Sequence, residues 1–202
     1  MPTNRTLSAI KIEDEDSLRR AIHALHEVHH VPHVIITSVN LLSPDKSSNG
    51  ERTLSIVGSS QTSGGKPRLF RISFPALDCY FSGTGDMFAA LMVGRLRQAV
   101  GAVAGLAERP SWLSDDAVVA TDLPLAKAAE KVLPTMHEIL ERTCEGLAER
   151  CRGERERREA DLGRPLTDLE LQAVRSKCAE LRIVRNMGSL FNAQAKFGAV
   201  AL

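Results

Sequence analysis

The chain has 202 residues, 43% of them hydrophobic and 25% charged, which is the balance of a sequence that buries a core and excludes a mainly disordered tail. Lys and Arg total 26 against 25 Asp and Glu, so the formal net charge of +1 excludes a general electrostatic pull toward nucleic acid or an anionic membrane. The longest uncharged apolar stretches, 87–94 and 99–107, fall short of the roughly 18 residues that a membrane helix needs.

The N-terminal MPTNRTLSAIKIEDED has neither an apolar core nor an acid-free Arg-rich face, so no targeting peptide is read there and a cytoplasmic location is expected. Four cysteines, Cys79, Cys144, Cys151 and Cys178, form no CxxC pair, so no structural zinc site is expected. Scattered reduced thiols fit the expected compartment. Six Phe, one Trp and one Tyr are too few for a single-strand nucleic-acid platform.

From Ser17, the apolar residues Leu18, Ala21, Ile22, Leu25 and Val28 recur at three and four, which predicts a helix with one buried face, capped by Asp16 or Ser17 and stopped by Pro32. His33 to Leu41 is β-branched and free of Gly and Pro, which predicts a buried strand. SPDKSSNGE then reads as a turn, TLSIVGS as a second strand, QTSGGKP as a loop and RLFRISFP as a third strand. The short connections predict that the three are sheet neighbours. Ser82-Gly83-Thr84-Gly85-Asp86 is a glycine turn leading into MFAALMVGRLRQAV, a strong helix former.

Residues 101–123 read as a surface insertion pinned by the lone Trp112. The stripe Leu125, Ala128, Ala129, Val132, Met136, Ile139, Leu140 and Leu147 predicts a long helix disturbed near Pro134. Residues 149–165 mix both charges without apolar content and read as an exposed charged loop. Thr167 and Glu170 have capping-box spacing for a further helix to about Leu181, and NAQAKFGAV reads as an edge strand.

The chemistry concentrates at Gly83-Thr84-Gly85-Asp86. Glycines allow a tight turn with unobstructed N–H groups, and a helix N-terminus adds partial positive charge, so a phosphate can be held without lysine. Asp86 would stand beside it, where a carboxylate can take a proton from an attacking hydroxyl. Taken alone, the motif is equally served by a tight turn with an acidic residue at a helix start. A dinucleotide fingerprint starting at Gly83 fails because Phe88 stands where a third glycine is required, and a Walker loop ending in Gly65-Lys66 fails at Ser60 and Pro67. His23, His26, His29, His30 and His33 invite a metal reading, but no carboxylate or cysteine completes a set, and no metal ligand is assigned.

Together, VIITS (34–38), FSGTGDMFAALMVGRL (81–96), AAEKVLPTMHEILERT (128–143), ELRIVRN (180–186) and LSAIKIEDEDSLRRAIHALH (7–26) resemble pyridoxal kinases, which are members of the ribokinase-like superfamily. The match runs collinearly over nearly the whole chain. GTGD alone would indicate only the superfamily.

The resemblance implies an α/β three-layer sandwich, a central, mostly parallel sheet flanked by helices, as a single partial domain over 1–202. It implies ATP-dependent phosphorylation of the 5′-hydroxymethyl group of pyridoxal, pyridoxine or pyridoxamine, with Mg²⁺ on the ATP phosphates, a monovalent cation such as K⁺, and a homodimer. Carried over by position, Asp86 is the catalytic base and the Gly83, Thr84 and Gly85 amides form the anion hole. Thr37, Ser38, Met136 and Leu140 face the nucleotide, and Ser82 sits by the substrate with Asp86.

The sequence also departs from the family. A full pyridoxal kinase begins with a segment carrying the first strands, most of the vitamin pocket and a lid, and it has a TPNxxEAE stretch where this chain offers MPTNRT before Leu7. The resemblance is therefore to the C-terminal part, truncated at the N-terminus, and substrate positioning is largely missing. Two alternatives stay open: another vitamin or sugar kinase, such as a hydroxymethylpyrimidine kinase, or a non-catalytic fragment that binds nucleotide or a full-length partner.

Overall fold

The computed structural model describes residues 8–39, 52–192 and 196–202. They fall into two compact units. The first comprises the described residues up to Ala76, Met92–Leu133 and the C-terminal residues to Leu202; the second comprises Leu77–Leu91 and the described residues from Pro134 onward to Asn192.

The first unit opens with α1 (Glu15–His29). Its N-cap is Asp14, earlier than the Asp16 or Ser17 expected, because the Asp14 carboxylate accepts from the Ser17 amide at 2.7 Å while the Ser17 hydroxyl accepts from the Asp14 amide at 2.9 Å. His30, with φ +52°, ends the helix before Pro32. Strands β1 (His33–Val39), β2 (Thr53–Gln61) and β3 (Pro67–Pro75) follow, and β4 (Val200–Ala201) completes the sheet in the order β1-β2-β3-β4. The expected strand at the C-terminal end is thus reduced to two residues beside β3. The turn expected over 43–51 lies outside the described residues.

Every pairing in this sheet is antiparallel, which corrects the expectation of a mostly parallel sheet. The reason is visible in the chain itself. Parallel neighbours need a crossover of a dozen or more residues, whereas β2 and β3 are joined by residues 62–66 alone. Among the described residues, the parallel contact is the isolated bridge between Ser82 and Glu180.

Leu18 and Ile22 of α1 pack with Val39, Val57 and Leu69, one residue from each of the first three strands. Burying each such side chain contributes roughly 1.5–3 kcal/mol relative to exposure. Residues 55–60 of β2 are buried in succession, as befits a central strand covered on both faces. Gly58 is required by a close approach: a Cβ there would lie 2.2 Å from the ring of its cross-strand partner Phe70, which is fully buried.

Residues 101–123 are less of a surface insertion than their composition suggests, since Leu106 and Leu123 are each 1% exposed. Arg97 stacks over Trp112, and Arg68 donates to the carbonyls of Ser114, Asp115 and Val118. A basic residue on β3 thus does much of the pinning assigned to the tryptophan.

Helix α2 (Thr84–Gly101) follows the glycine turn, and α3 (Pro124–Cys144) runs uninterrupted through Pro134. In the second unit, the expected charged loop is instead α4 (Leu147–Leu162). Glu and Arg are good helix formers, and the pairs Arg155–Glu159, Arg158–Glu154 and Arg157–Asp161 lie one turn apart. Gly146 and Gly163, with φ +67° and +64°, bound the helix. Helix α5 (Asp168–Cys178) has the expected Thr167/Glu170 capping box but ends three residues early. A short turn (Val184–Asn186) and α6 (Met187–Asn192) follow.

Two of the four cysteines are not free thiols. Cys79 and Cys144 are bonded through their sulfurs, with Cα atoms 6.4 Å apart, correcting the expectation that all are reduced. Cys151 and Cys178 are free.

Candidate functional site

The glycine turn forms where the sequence put it. Gly83 has φ +88°, a left-handed conformation that favours glycine, and Thr84 begins α2. The Met87 amide donates to the Gly83 carbonyl at 3.1 Å, closing the first helical turn. A Cβ on Gly85 would meet nothing within 4 Å, and one on Gly83 nothing nearer than Leu181 at 3.9 Å. Ser82, Gly83, Gly85 and Asp86 are all exposed. The turn is therefore exposed and uncrowded at a helix N-terminus, where an anion is stabilised by unpaired N–H groups and the helix dipole.

Asp86 lies in the first turn of α2, the acidic residue of that turn. The approach to the turn is held from outside it: Ser82 donates its amide to the Ala179 carbonyl at 3.1 Å and bridges to Glu180, and Cys79 is tied to Cys144. The residues that follow α5 thus steady the turn. Sequence reasoning missed this support, because nothing in the spacing of residues nearly a hundred positions apart signals it.

Met136 and Leu140 sit one turn apart on α3, in the same unit as the glycine turn; Met136 is buried and Leu140 half-buried. Thr37 and Ser38 belong to the other unit, near the end of β1. The pairing register with β2 breaks between Ile36 and Val39, so both residues lie in an irregularity of the strand. Thr37 is exposed, and the side chain of Ser38 lies outside the described residues. Such bulges re-aim side chains and are frequent beside functional sites.

His26 and His33 are structural, while His23, His29 and His30 are exposed. His26, 2% exposed, is within 2.6 Å of the Val31 carbonyl and 2.8 Å of the Ser59 hydroxyl. His33 reaches the Ser60 hydroxyl and the Ser111 carbonyl, each at 2.8 Å. Burial pushes both imidazoles below the ordinary histidine range. Among the described residues, no group of three or more His, Cys, Asp or Glu side chains could hold a metal ion. Nor, among them, is any helix long and apolar enough to cross a membrane.

No protein-family model matches the chain. Two curated relatives from Schizosaccharomyces pombe carry provisional pyridoxal kinase names: one is 29% identical over 142 residues, 70% of this chain and 40% of the relative. The other is 35% identical over 81 residues, 39% of this chain and 22% of the relative. Among solved structures, pyridoxal kinase from Leishmania donovani in complex with ADP aligns at TM-score 0.60 and 17% identity, over 98% of this chain and 48% of that one. The enzyme from Plasmodium falciparum with AMP-PNP and PL aligns at 0.56 and 17%, over 98% and 47%. Pyridoxal kinase from Entamoeba histolytica aligns at 0.56 and 15%, over 98% and 48%. The chain thus has the fold of part of a pyridoxal kinase, and it spans about half the length of those structures and 40% or less of the curated relatives.

Proposed function

We propose that this chain carries the phosphoryl-transfer part of a pyridoxal kinase-like enzyme, transferring the γ-phosphoryl group of ATP to the 5′-hydroxymethyl group of pyridoxal, pyridoxine or pyridoxamine. The observation that carries the reading is the exposed Gly83-Thr84-Gly85-Asp86 turn at the start of α2, in a chain similar along its length to pyridoxal kinases. Asp86 takes the proton of the 5′-hydroxyl as its oxygen attacks phosphorus. The bond to the ADP oxygen breaks, and the amides of Gly83, Thr84 and Gly85 stabilise the charge on the transferring group. Ser82, next to the turn, borders the vitamin. Met136 and Leu140 supply apolar surface for the adenine, and Thr37 and Ser38 contact the nucleotide.

Mg²⁺ prefers oxygen ligands, keeps several waters and binds with substrate phosphates, so the lone Asp86 carboxylate fits a metal delivered with ATP better than a resident one. The metal would neutralise phosphate charge. A monovalent cation such as K⁺, a homodimer and a cytoplasmic location belong to the same reading. In that compartment the Cys79–Cys144 bond would meet a reducing poise.

The test is formation of the 5′-phosphate from pyridoxal by the purified chain with ATP and Mg²⁺, alongside other vitamin and sugar alcohols. Phosphorylation of pyridoxal above the other acceptors supports the reading, and preference for another alcohol replaces it with a different kinase of the superfamily. The second reading is a non-catalytic partner or nucleotide binder. Nucleotide binding without transfer to any acceptor would select it.

A further inference from the structure

Arginines that the phosphoryl-transfer reading does not use gather at the C-terminal end of α3. The segment Arg182–Asn186 is fixed there by backbone bonds. The Arg182 amide donates to the Thr143 hydroxyl at 3.4 Å, and that hydroxyl in turn donates to the Ile139 carbonyl at 2.7 Å. Asn186 donates its amide to the Arg182 and Ile183 carbonyls and its side-chain Nδ2 to the Arg182 carbonyl at 3.0 Å, closing the turn. Arg185 lies within this turn and Arg182 just before it, close enough for the charge of one to act on the other.

Both arginines line a cavity of about 370 Å³ whose remaining walls are Arg142, Glu145 and the buried Asn186. Arg142 is already paired with Glu138 on the same helix. Arg150, the neighbouring cation, gives its guanidinium to the carbonyls of Thr143 and Glu145. Arg182 and Arg185 have no carboxylate ion pair among the described residues, although α4 and α5 between them make at least five such pairs. Partial burial and the nearby Arg185 and Arg150 push the Arg182 guanidinium below its ordinary range. Like charges held this way are most stable when an anion lies between them.

We propose that Arg182 and Arg185 bind a phosphate-class dianion, inorganic phosphate or a phosphate monoester, in this cavity. The planar guanidinium presents paired donors that match phosphate oxygens, and two of them from one rigid turn give a directional clamp. Asn186 and Glu145 complete the lining, and the Glu145 carboxylate is the one element there that repels an anion.

The test uses the full chain with ¹⁵N-labelled arginine, following the Nε–Hε signals of Arg182 and Arg185 as inorganic phosphate replaces sodium chloride at constant ionic strength. The signals are assigned with Arg182→Lys and Arg185→Lys. Saturable shifts at both, with affinity several-fold weaker at the Arg182 signal in the exposed single change Arg185→Ala and at the Arg185 signal in Arg182→Ala, support the site. A monoester such as glycerol phosphate that saturates the same signals more tightly assigns the remaining cavity volume to the organic group. Signals that follow ionic strength alone, or equal phosphate affinity in wild type and in both single variants, overturn it. Because the readout sits on these arginines, phosphate at the glycine turn does not register, and failure of either proposal is distinguishable from failure of the other.

Discussion

Cys79 and Cys144 are bonded across 65 residues, which ties the segment entering the glycine turn to the last residue of the helix that carries Met136 and Leu140. Closing a loop of that length stabilises a fold by up to about 4 kcal/mol through the unfolded chain. Reduction with a thiol reagent is expected to lower the melting temperature, and Cys79→Ser is expected to lower it equally and to abolish the effect of the reagent. Calorimetry with and without reductant on both proteins checks this. An unchanged melting temperature on reduction of the wild type would mean that the bond contributes nothing.

Gly58 faces the ring of Phe70 too closely for any side chain. Gly58→Ala is expected to destabilise the chain by about 1–3 kcal/mol, since the added methyl must displace a fully buried ring. Denaturant titration measures the cost. A loss below about 0.5 kcal/mol would show that the ring has room to move.

Stability should fall on the acid side through His26 and His33. Burial depresses both folded-state values, so the unfolded chain, with ordinary values of 6.5, binds the protons more readily. Stability is therefore full above about pH 6.5 and declines as pH falls below it toward the folded-state values. Denaturant midpoints at pH 7.5 and 5.5 test the sign, and in His26→Gln the decline should shrink. A decline unchanged by that substitution would assign it to other groups.

Arg68 bonds three carbonyls of the 114–118 segment. Arg68→Ala is expected to free the segment, raising proteolytic cleavage between residues 101 and 123 and costing about 1–3 kcal/mol. An unaltered rate of cleavage within that segment would contradict the role.

The sequence made the first three strands, their adjacency and the α5 capping box legible because each is signalled by neighbours within a few residues. The glycine turn was legible for the same reason. The direction of the sheet was misread by family analogy, although the five residues between β2 and β3 already dictated a hairpin. Helix α4 was missed because it buries nothing: its order comes from charge pairs one turn apart and from Glu154, which Lys177, Arg157 and Arg158 hold down at about 2. The Cys79–Cys144 bond, the Ser82–Ala179 hydrogen bond and the Arg182–Arg185 cluster depend on distant segments meeting, or on a turn whose tightness is set by such meeting. Local periodicity carries no trace of those contacts.

The central claim rests on Asp86, and the most direct test compares wild type with Asp86→Asn in formation of pyridoxal 5′-phosphate from ATP, Mg²⁺ and pyridoxal, with ADP binding measured on both. The substitution keeps the shape of the turn and its amides while removing the base. Turnover should fall by about 10²-fold or more with ADP affinity changed less than about twofold. Equal turnover by the variant and the wild type would contradict the account.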